Sequence, residues 1–166
     1  MIFAITGTHE QPFDRLVRAL DDYAAAHPDE RVVIQRGYAT YLPRHAENEA
    51  MYPQERMNAL AAAARVIVTH GGPGSIWLAF QHDRIPVVVP RMKRFGEHVD
   101  DHQVAFARHL ERAGRAPAVL DIERLPELLD AYAAATAQFA APTNVAVPNR
   151  AKLCAELEGM LARPRR

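Results

Sequence analysis

Four short segments of this chain are apolar along nearly their whole length, and this feature constrains the fold most. They lie at 2–6, 31–35, 66–70 and 85–90. Strands with one solvent-facing side alternate apolar and polar residues, whereas strands buried on both faces of a parallel sheet are apolar throughout. Segments with helical spacing of apolar residues separate them, as at Phe13, Leu16 and Val17. The alternation predicts an α/β domain with an open parallel sheet.

Further elements complete the predicted order. A short strand is expected near 47–52 and a last strand at 117–120. The expected helices are 13–25, 53–64, 75–82 and 102–114, followed by closing helices at about 122–140 and 149–162. The helix at 102–114 is expected to bury Phe106, Leu110 and Ala113 and to end at Gly114. Residues 1–166 are expected to form a single domain.

Charge and cysteine content narrow the classes of function. The 166 residues carry 20 acidic and 20 basic side chains, whereas nucleic-acid-binding proteins usually carry a basic excess. The single cysteine, Cys154, excludes an internal disulfide and is expected to pack within a helix. No apolar run reaches the ~20 residues of a membrane span, and the first residues do not resemble a signal peptide. A cytoplasmic protein without nucleic-acid partners is therefore expected.

The segment HGGPGS at 70–75 follows a predicted buried strand and precedes a predicted helix. Glycines let the backbone approach a ligand closely, and a helix N-terminus favours an anion, so a diphosphate is the expected guest. The segment is neither the G-x-G-x-x-G dinucleotide fingerprint nor a P-loop, because no Lys-Ser/Thr follows Gly74. A tight strand–helix turn without a ligand is the alternative.

Two other strand exits carry polar residues, and ligands bind at the carboxyl ends of strands in open parallel sheets. The first, GTHEQPF at 7–13, brings polar groups such as His9 to this edge. The second, PRMKRFGEHVDDHQ at 90–103, contains bases suited to phosphate, with acids and amides suited to sugar hydroxyls. A solvated turn and a charged surface loop are the alternatives. His98 and His102 could suggest a metal site, but no third ligand is obvious, so no metal is expected.

Taken together, GTHEQPFDRL, VIVTHGGPGSI, IPVVVPR and GEHVDDHQVAFARHL resemble the glycosyltransferase family 28 C-terminal domain over roughly residues 1–120. The resemblance implies a Rossmann-like open parallel sheet flanked by helices, the donor-binding, C-terminal half of a GT-B glycosyltransferase. The chain is similar to single-domain catalytic subunits of two-component N-acetylglucosamine or exopolysaccharide glycosyltransferases. The implied donor is a nucleoside-diphosphate sugar, most often UDP-linked, with no cofactor and no obligatory metal.

The resemblance also implies roles for individual residues. The implied donor site comprises Gly7, Thr8, His70, Gly71, Gly72, Gly74, Ser75, Arg91, Glu97, His98, His102 and Gln103. Its glycines at 71–74 and Ser75 are implied to lie at the diphosphate, and the loop that ends at Gln103 to hold the sugar hydroxyls. The base and ribose are implied to lie near 35–38 and beside the helix that follows Ser75.

One departure from the family pattern keeps two classes of function open. Relatives commonly carry an acid in the helix after the glycine motif, often for the ribose, whereas this chain has Leu78, Ala79 and Gln81 there. A non-catalytic nucleotide-sugar-binding or regulatory module is therefore the alternative to a transferase. The general base of a transferase is unassigned, with His9 and Glu97 as candidates.

The resemblance covers only a donor-binding half, so the acceptor site is expected in a partner. The expected partner is a second, membrane-associated, Rossmann-like protein that binds a lipid-linked or polysaccharide acceptor. The chain would then lie peripherally at the inner face of the membrane. Arg163, Arg165 and Arg166 could contact anionic lipid headgroups or form a solvated terminus. A self-sufficient transferase acting as a homodimer is a further alternative.

Overall fold

A computed structural model describes residues 1–141 as an α/β structure. Its strands are β1 (Ile2–Ile5), β2 (Val32–Gln35), β3 (Glu47–Glu49), β4 (Val66–Thr69) and β5 (Val87–Val88). Its helices are α1 (Asp14–Ala26), α2 (Gln54–Ala63), α3 (Pro73–Gln81), α4 (His102–Arg112), α5 (Leu125–Asp130) and α6 (Tyr132–Thr136). Short 3-10 turns at Lys93–Phe95 and Ile122–Arg124 precede α4 and α5. The helix expected at 149–162, Cys154 and the basic tail lie outside the described residues.

The five strands pair in parallel in the order β3-β2-β1-β4-β5. β1 is central, and its Ile2 pairs with Val32 of β2 and with Val66 of β4. Every residue of β1, β2 and β4 is buried, as their apolar sequences predict, whereas the edge strand β3 is polar and largely exposed. The predicted Rossmann-like open parallel sheet is therefore confirmed.

Helices cover both faces of this sheet, because alternate residues of a strand point to opposite sides. Ile2 and Ala4 of β1 belong to a cluster that includes the inner side of α1. Phe3 belongs to a second cluster with residues of α2 and α3, and Val88 to a third that joins α3 and α4. The strand ends are thus the places where a ligand can reach the sheet. No helix within residues 1–141 combines the length and the apolar character needed to cross a membrane.

The elements after residue 84 differ from their predicted extents. The strand expected at 85–90 contains only Val87–Val88, because prolines flank it at both ends and cannot donate to the ladder. The strand expected at 117–120 is reduced to a single bridge between Ala118 and Val88. The helix expected at about 122–140 is divided between the 3-10 turn, α5 and α6, and it ends at Thr136. Ala113, which had been expected to be buried, is exposed and follows the end of α4. Ala107 of α4 is buried instead.

A buried carboxylate organises the irregular segment between β2 and β3. Asp21, in the middle of α1, accepts hydrogen bonds from the backbone amides of residues 44–46 at 2.7–3.1 Å and from the Tyr41 hydroxyl at 2.7 Å. Its burial acts to raise the pKa, but these hydrogen bonds outweigh burial and lower it below the ordinary value. The carboxylate therefore holds the chain that leads into β3.

We expect Asp21→Asn to lower the unfolding free energy by about 2–4 kcal/mol, because its amide group replaces an acceptor oxygen that faces N–H and O–H donors. Asp22→Asn is the matched control, since Asp22 is adjacent and exposed. Because the folded pKa of Asp21 is lowered, its stabilisation is present above the unfolded pKa and lost as the pH falls through the folded pKa. Denaturant unfolding at neutral and acidic pH measures both effects. Equal losses in the two variants would contradict this role.

Candidate functional site

The glycine motif lies at a special position in the strand order. From β1 the chain continues on one side to β2 and β3, and later returns to the other side with β4 and β5. The order therefore reverses between β1 and β4, and open α/β sheets bind ligands outside the carboxyl ends of strands at such a switch point. The loops that follow these two strands begin with Thr6–Gly7 and with His70. The sequence motifs at 7–13 and 70–75 thus meet at one edge of the sheet.

The His70 side chain packs against two glycines, one in each of these loops. A Cβ built on Gly7 would lie 2.5 Å from His70 Nε2, and a Cβ built on Gly72 would overlap the same atom. Gly7 also has a φ of 84°, in the left-handed region that favours glycine. His70 Nδ1 lies 3.2 Å from the carbonyl oxygen of Ile5. The two glycines therefore allow an imidazole to lie across the switch point.

The imidazole of His70 is neutral at physiological pH. Burial, aided by the nearby charge of Arg91, lowers its pKa to about 4. Because the Ile5 carbonyl can only accept, the proton of the neutral ring lies on Nδ1. Nε2, which faces the two glycines, then carries a lone pair. In this state Nε2 can accept a hydrogen bond but cannot donate one.

Ser75 stabilises the turn from within. Its hydroxyl donates to the Gly72 carbonyl at 2.9 Å and also contacts the Thr69 hydroxyl. The side chain is buried, and it fixes the junction between β4 and α3. Helix α3 begins at Pro73, which has no N–H, and the amides of Ser75 and Ile76 both donate to the Gly72 carbonyl at 3.2 Å. The Gly74 amide and the helix dipole are therefore what this turn offers an anion. A Cβ on Gly74 would meet nothing within 4 Å, which leaves this turn open on its outer side.

Arg91 had been expected at the donor site, but its side chain is fully buried. Its guanidinium donates to the carbonyls of Thr6 at 2.9 Å, Gln11 at 2.5 Å and Glu97 at 3.0 Å. Burial lowers its pKa to about 10, so it remains a cation at neutral pH. Its backbone amide donates to Gln103 Oε1 at 3.2 Å, and Gln103 is also buried. Arg91 thus joins the loops after β1 and β5 from inside.

Glu97, a candidate general base, is also occupied by protein groups. Its two oxygens accept from Arg15 Nε and Nη2, each at 2.8 Å, and one of them accepts from the Met92 amide at 3.0 Å. Only 4% of its side chain is exposed. Sequence reasoning missed Arg15, although a basic residue in the first turn of α1 lies close to the loops at the strand ends. The Arg15–Glu97 ion pair holds α1 against the loop after β5.

Three histidine rings lie in contact beside this ion pair. The His9 and His98 ring centroids are 4.3 Å apart, and those of His98 and His102 are 4.5 Å apart. Asp100 Oδ1 lies 3.4 Å from His98 Nδ1 and contacts His102 Nδ1. Burial and the neighbouring histidines lower the pKa of His98. Asp100 was not singled out from the sequence, although the pattern H-V-D-D-H places an acid between the two histidines.

Several buried polar atoms at this edge have no hydrogen-bond partner within residues 1–141. Three of them belong to the segment after β1, namely His9 Nε2, Gln11 Oε1 and Arg15 Nη1. Buried polar atoms are rarely left unpaired, and an unpaired cluster indicates water or a ligand. The predicted donor residue Thr8, in the same segment, is exposed. The loop after β1 therefore has unused hydrogen-bonding capacity at the switch point.

The region expected to hold the base and ribose consists of the segment after β2, at 35–38, and the outer part of α3. Gly37, with a φ of 56°, packs so closely that a Cβ would lie 2.5 Å from the Gly7 carbonyl oxygen. The adjacent Tyr38 is 52% exposed. In α3, the side chains of Leu78 and Ala79 are buried, whereas Gln81 is exposed. Of the three positions considered for the missing acid, only that of Gln81 is open to solvent.

This chain is similar in sequence and in fold to known glycosyltransferases. The sequence profile of the glycosyltransferase family 28 C-terminal domain matches residues 1–157. The solved glycosyltransferase of kitacinnamycin is 25% identical with a TM-score of 0.54, over 97% of this chain and 39% of that chain. The calicheamicin glycosyltransferase is 18% identical with a TM-score of 0.62, over 98% and 44% of the two chains. A spinosyn rhamnosyltransferase in complex with thymidine diphosphate is 18% identical with a TM-score of 0.52, over 82% and 39%.

These solved glycosyltransferases share the α/β fold described above. A search of curated protein sequences found no match. The chain spans less than half the length of the three solved glycosyltransferases, since it covers 39%, 44% and 39% of them. The family profile covers nearly the whole chain, including all three motif-bearing strand exits. This chain therefore belongs to the glycosyltransferase family 28 C-terminal domain family.

Proposed function

We propose that this chain binds a nucleoside-diphosphate sugar and transfers the sugar, as the donor-binding, catalytic subunit of a two-component glycosyltransferase. The observation that carries the proposal is the place of the glycine turn, which joins β4 to the N-terminus of α3 at the switch point of the sheet. A UDP-linked hexose or N-acetylhexosamine is the first donor class to test. The proposed transfer uses the donor as a substrate and needs no cofactor.

The turn suits the leaving group of such a transfer. The developing charge on the diphosphate would lie against the Gly74 amide and the positive end of the α3 dipole, which are fixed in place before the reaction. Gly72 makes room for the His70 ring beside this turn, and an alanine at position 74 would keep the amide N–H. Ser75 contributes by fixing the turn, because its hydroxyl is bonded to Gly72 and Thr69. Stabilisation of the leaving diphosphate is thus the main catalytic effect that we assign to this chain.

Of the two candidate bases, His9 fits the proposal better than Glu97. Both Glu97 oxygens are held by Arg15, and a base needs a free lone pair within reach of the acceptor hydroxyl. His9 Nε2 has no hydrogen-bond partner within the described chain. His9 is therefore our candidate for the group that accepts the acceptor's proton.

We propose that the acceptor site lies on a membrane-associated partner protein, which would place this chain at the inner membrane face. The chain spans 39–44% of the length of three solved glycosyltransferases of the same fold. Exposed apolar side chains occur near the carboxyl edge of the sheet, including Phe95 at 53% and Val99 at 62% exposure. A lipid-linked or polysaccharide acceptor would then meet the donor sugar between the two proteins.

Two measurements test the proposal. Calorimetry with UDP-, dTDP- and GDP-sugars is expected to show that one nucleotide class binds with 1:1 stoichiometry and raises the melting temperature. Transfer from that donor to a polyprenyl-diphosphate acceptor is then measured with and without the product of a neighbouring gene. Turnover that requires both proteins supports the proposal. Donor binding without turnover under any combination would favour a regulatory module, and absence of donor binding would reject both functions.

Protonation of His70 gives a sharper prediction. Because neutral His70 presents only a lone pair at Nε2, a diphosphate oxygen beside it would favour the protonated ring. We expect donor binding to take up as much as about one proton and to tighten as the pH is lowered from about 8 to about 6. The sign follows from a His70 pKa of about 4 in the free protein that rises in the complex.

Calorimetry in two buffers of different ionisation enthalpy measures this proton uptake. His70→Gln is the matched variant, because a glutamine amide can donate to the diphosphate without gaining a proton. We expect this variant to bind the donor with little proton uptake and a flatter pH dependence. Equal proton uptake in the variant and the natural protein would show that another group is responsible.

A further inference from the structure

We propose that His98, Asp100 and His102 bind one divalent transition-metal ion at the carboxyl edge of the sheet, beside the proposed donor site. One ligand atom from each residue lies within 4.8 Å of the other two. The proposal concerns the chain's own side chains and does not depend on the donor chemistry proposed above. It replaces the sequence-based expectation of no metal, which arose because no third ligand had been identified. Asp100 is that ligand.

The distances suit a small tetrahedral ion. Zinc lies about 2.0–2.2 Å from imidazole nitrogen and carboxylate oxygen, so neighbouring ligands of a tetrahedral site are roughly 3.4 Å apart. His98 Nδ1 and Asp100 Oδ1 are separated by 3.4 Å. His102 Nδ1 already contacts Asp100 Oδ1 and needs only a small rotation to make room for an ion. Two imidazoles with one carboxylate favour zinc and neighbouring transition metals over magnesium and calcium.

The backbone fixes two of the ligands relative to each other. Asp100 Oδ1 accepts from the His102 amide at 3.1 Å, at the point where α4 begins. The adjacent Asp101 is engaged elsewhere, because its Oδ1 accepts from the Lys93 amide at 2.9 Å. Of the two consecutive acids, Asp100 is therefore the one that faces both histidines. This difference supplies a matched pair of substitutions.

A separate observation also indicates a ligand at this place. The ring of His9, in the loop after β1, lies against His98 with a centroid distance of 4.3 Å. Its Nε2 is buried and has no partner within residues 1–141. Three protein ligands leave one tetrahedral position open, as in catalytic zinc sites. A water held at that position can donate to His9 Nε2 when no acceptor hydroxyl is bound, which is compatible with the role proposed for His9 as a base.

The test uses untagged, chelator-treated protein in a Cys154→Ser background, which removes the only thiol. Titration with Zn²⁺ by calorimetry is expected to give one site, and Co²⁺ is expected to give visible absorption bands typical of nitrogen and oxygen ligands. We expect Asp100→Asn and His102→Ala each to weaken Zn²⁺ binding by at least about tenfold. Asp101→Asn, which removes the same charge one residue away, is expected to change it by less than about twofold.

Donor binding is measured in the presence of chelator for every variant, so loss of the metal site is distinguished from loss of the donor site. Circular dichroism and melting temperature establish that each variant is folded. Asp100 is exposed, so Asp100→Asn is expected to fold even where a histidine variant does not. Absence of Zn²⁺ binding up to about 1 mM, or equal binding by Asp100→Asn and Asp101→Asn, would overturn the proposal.

Discussion

Alanine at position 72 is expected to lower donor affinity by at least about tenfold and transfer by about a hundredfold, whereas alanine at position 74 leaves both nearly unchanged. A Cβ on Gly72 would overlap His70 Nε2, and Gly7 blocks the ring on its other side. The imidazole must therefore turn away from the two glycines and leave the Ile5 carbonyl. Gly74 has nothing within 4 Å of its Cβ position, and alanine suits a helical first turn.

The backbone cannot account for a difference between these two variants. Gly72 has φ −73° and ψ 133°, a conformation that any residue can adopt, so only the contact with His70 makes alanine unfavourable. Overpacking of this kind is expected to lower the unfolding free energy by about 1–3 kcal/mol. The double variant His70→Ala/Gly72→Ala is expected to be as stable as His70→Ala alone, because the ring is gone.

Denaturant unfolding and donor calorimetry on the four variants measure these effects. Two results would contradict the packing of His70 against the two glycines. One is normal donor affinity in Gly72→Ala, and the other is an equal loss in Gly74→Ala. A double variant less stable than His70→Ala alone would show that alanine at position 72 meets something other than the His70 ring.

The central strands could be predicted from the sequence because strands buried on both faces are apolar along their whole length. Ile2–Ile5 and Val66–Thr69 contain only residues that fit a buried sheet, and both occur where expected. The extent of β5 was overestimated because apolar character does not report hydrogen bonding. Pro86 and Pro90 limit the ladder to Val87–Val88, and the prolines are visible in the sequence.

The strand order could not be read from the sequence, yet it is what brings the motifs together. Alternating strands and helices are compatible with several parallel orders, and only the pairing of β1 with β4 creates a switch point beside Gly7 and His70. The resemblance implied that the motifs at 7–13 and 70–75 belong to one donor site, but it did not show how they meet. Their contact through the His70 ring depends on this long-range pairing.

The sequence also could not show which polar side chains turn inwards. Arg91 and Glu97 lie in a loop rich in charged residues, where an exposed side chain is the usual outcome. In the structure both are buried, because partners from distant segments, Arg15 and the Thr6 and Gln11 carbonyls, satisfy them. A charged residue near a predicted site can therefore bind the ligand or support the surrounding loops from inside. An experiment is needed to distinguish these two roles.

Arg91 provides that test, and we expect Arg91→Ala to lower the unfolding free energy by about 3–5 kcal/mol. Removal of the guanidinium leaves the buried carbonyls of Thr6, Gln11 and Glu97 without a donor. Arg91→Lys is expected to lose at least about 2 kcal/mol, because one ammonium group cannot bond to carbonyls in three places. Denaturant unfolding measures both losses, with the exposed Arg94→Ala as the control.

The two readings of Arg91 predict opposite patterns. If the guanidinium supports the loops after β1 and β5, its loss lowers the unfolding free energy, and donor binding weakens because the loops separate. Arg91→Lys is then expected to lose both stability and donor affinity. If it binds the diphosphate directly, Arg91→Lys keeps its stability and loses donor affinity, because a lysine ammonium preserves the charge but not the paired contacts. Full burial and the bonds to Thr6, Gln11 and Glu97 favour the first pattern. A stable Arg91→Lys variant with weakened donor binding would return Arg91 to the donor site.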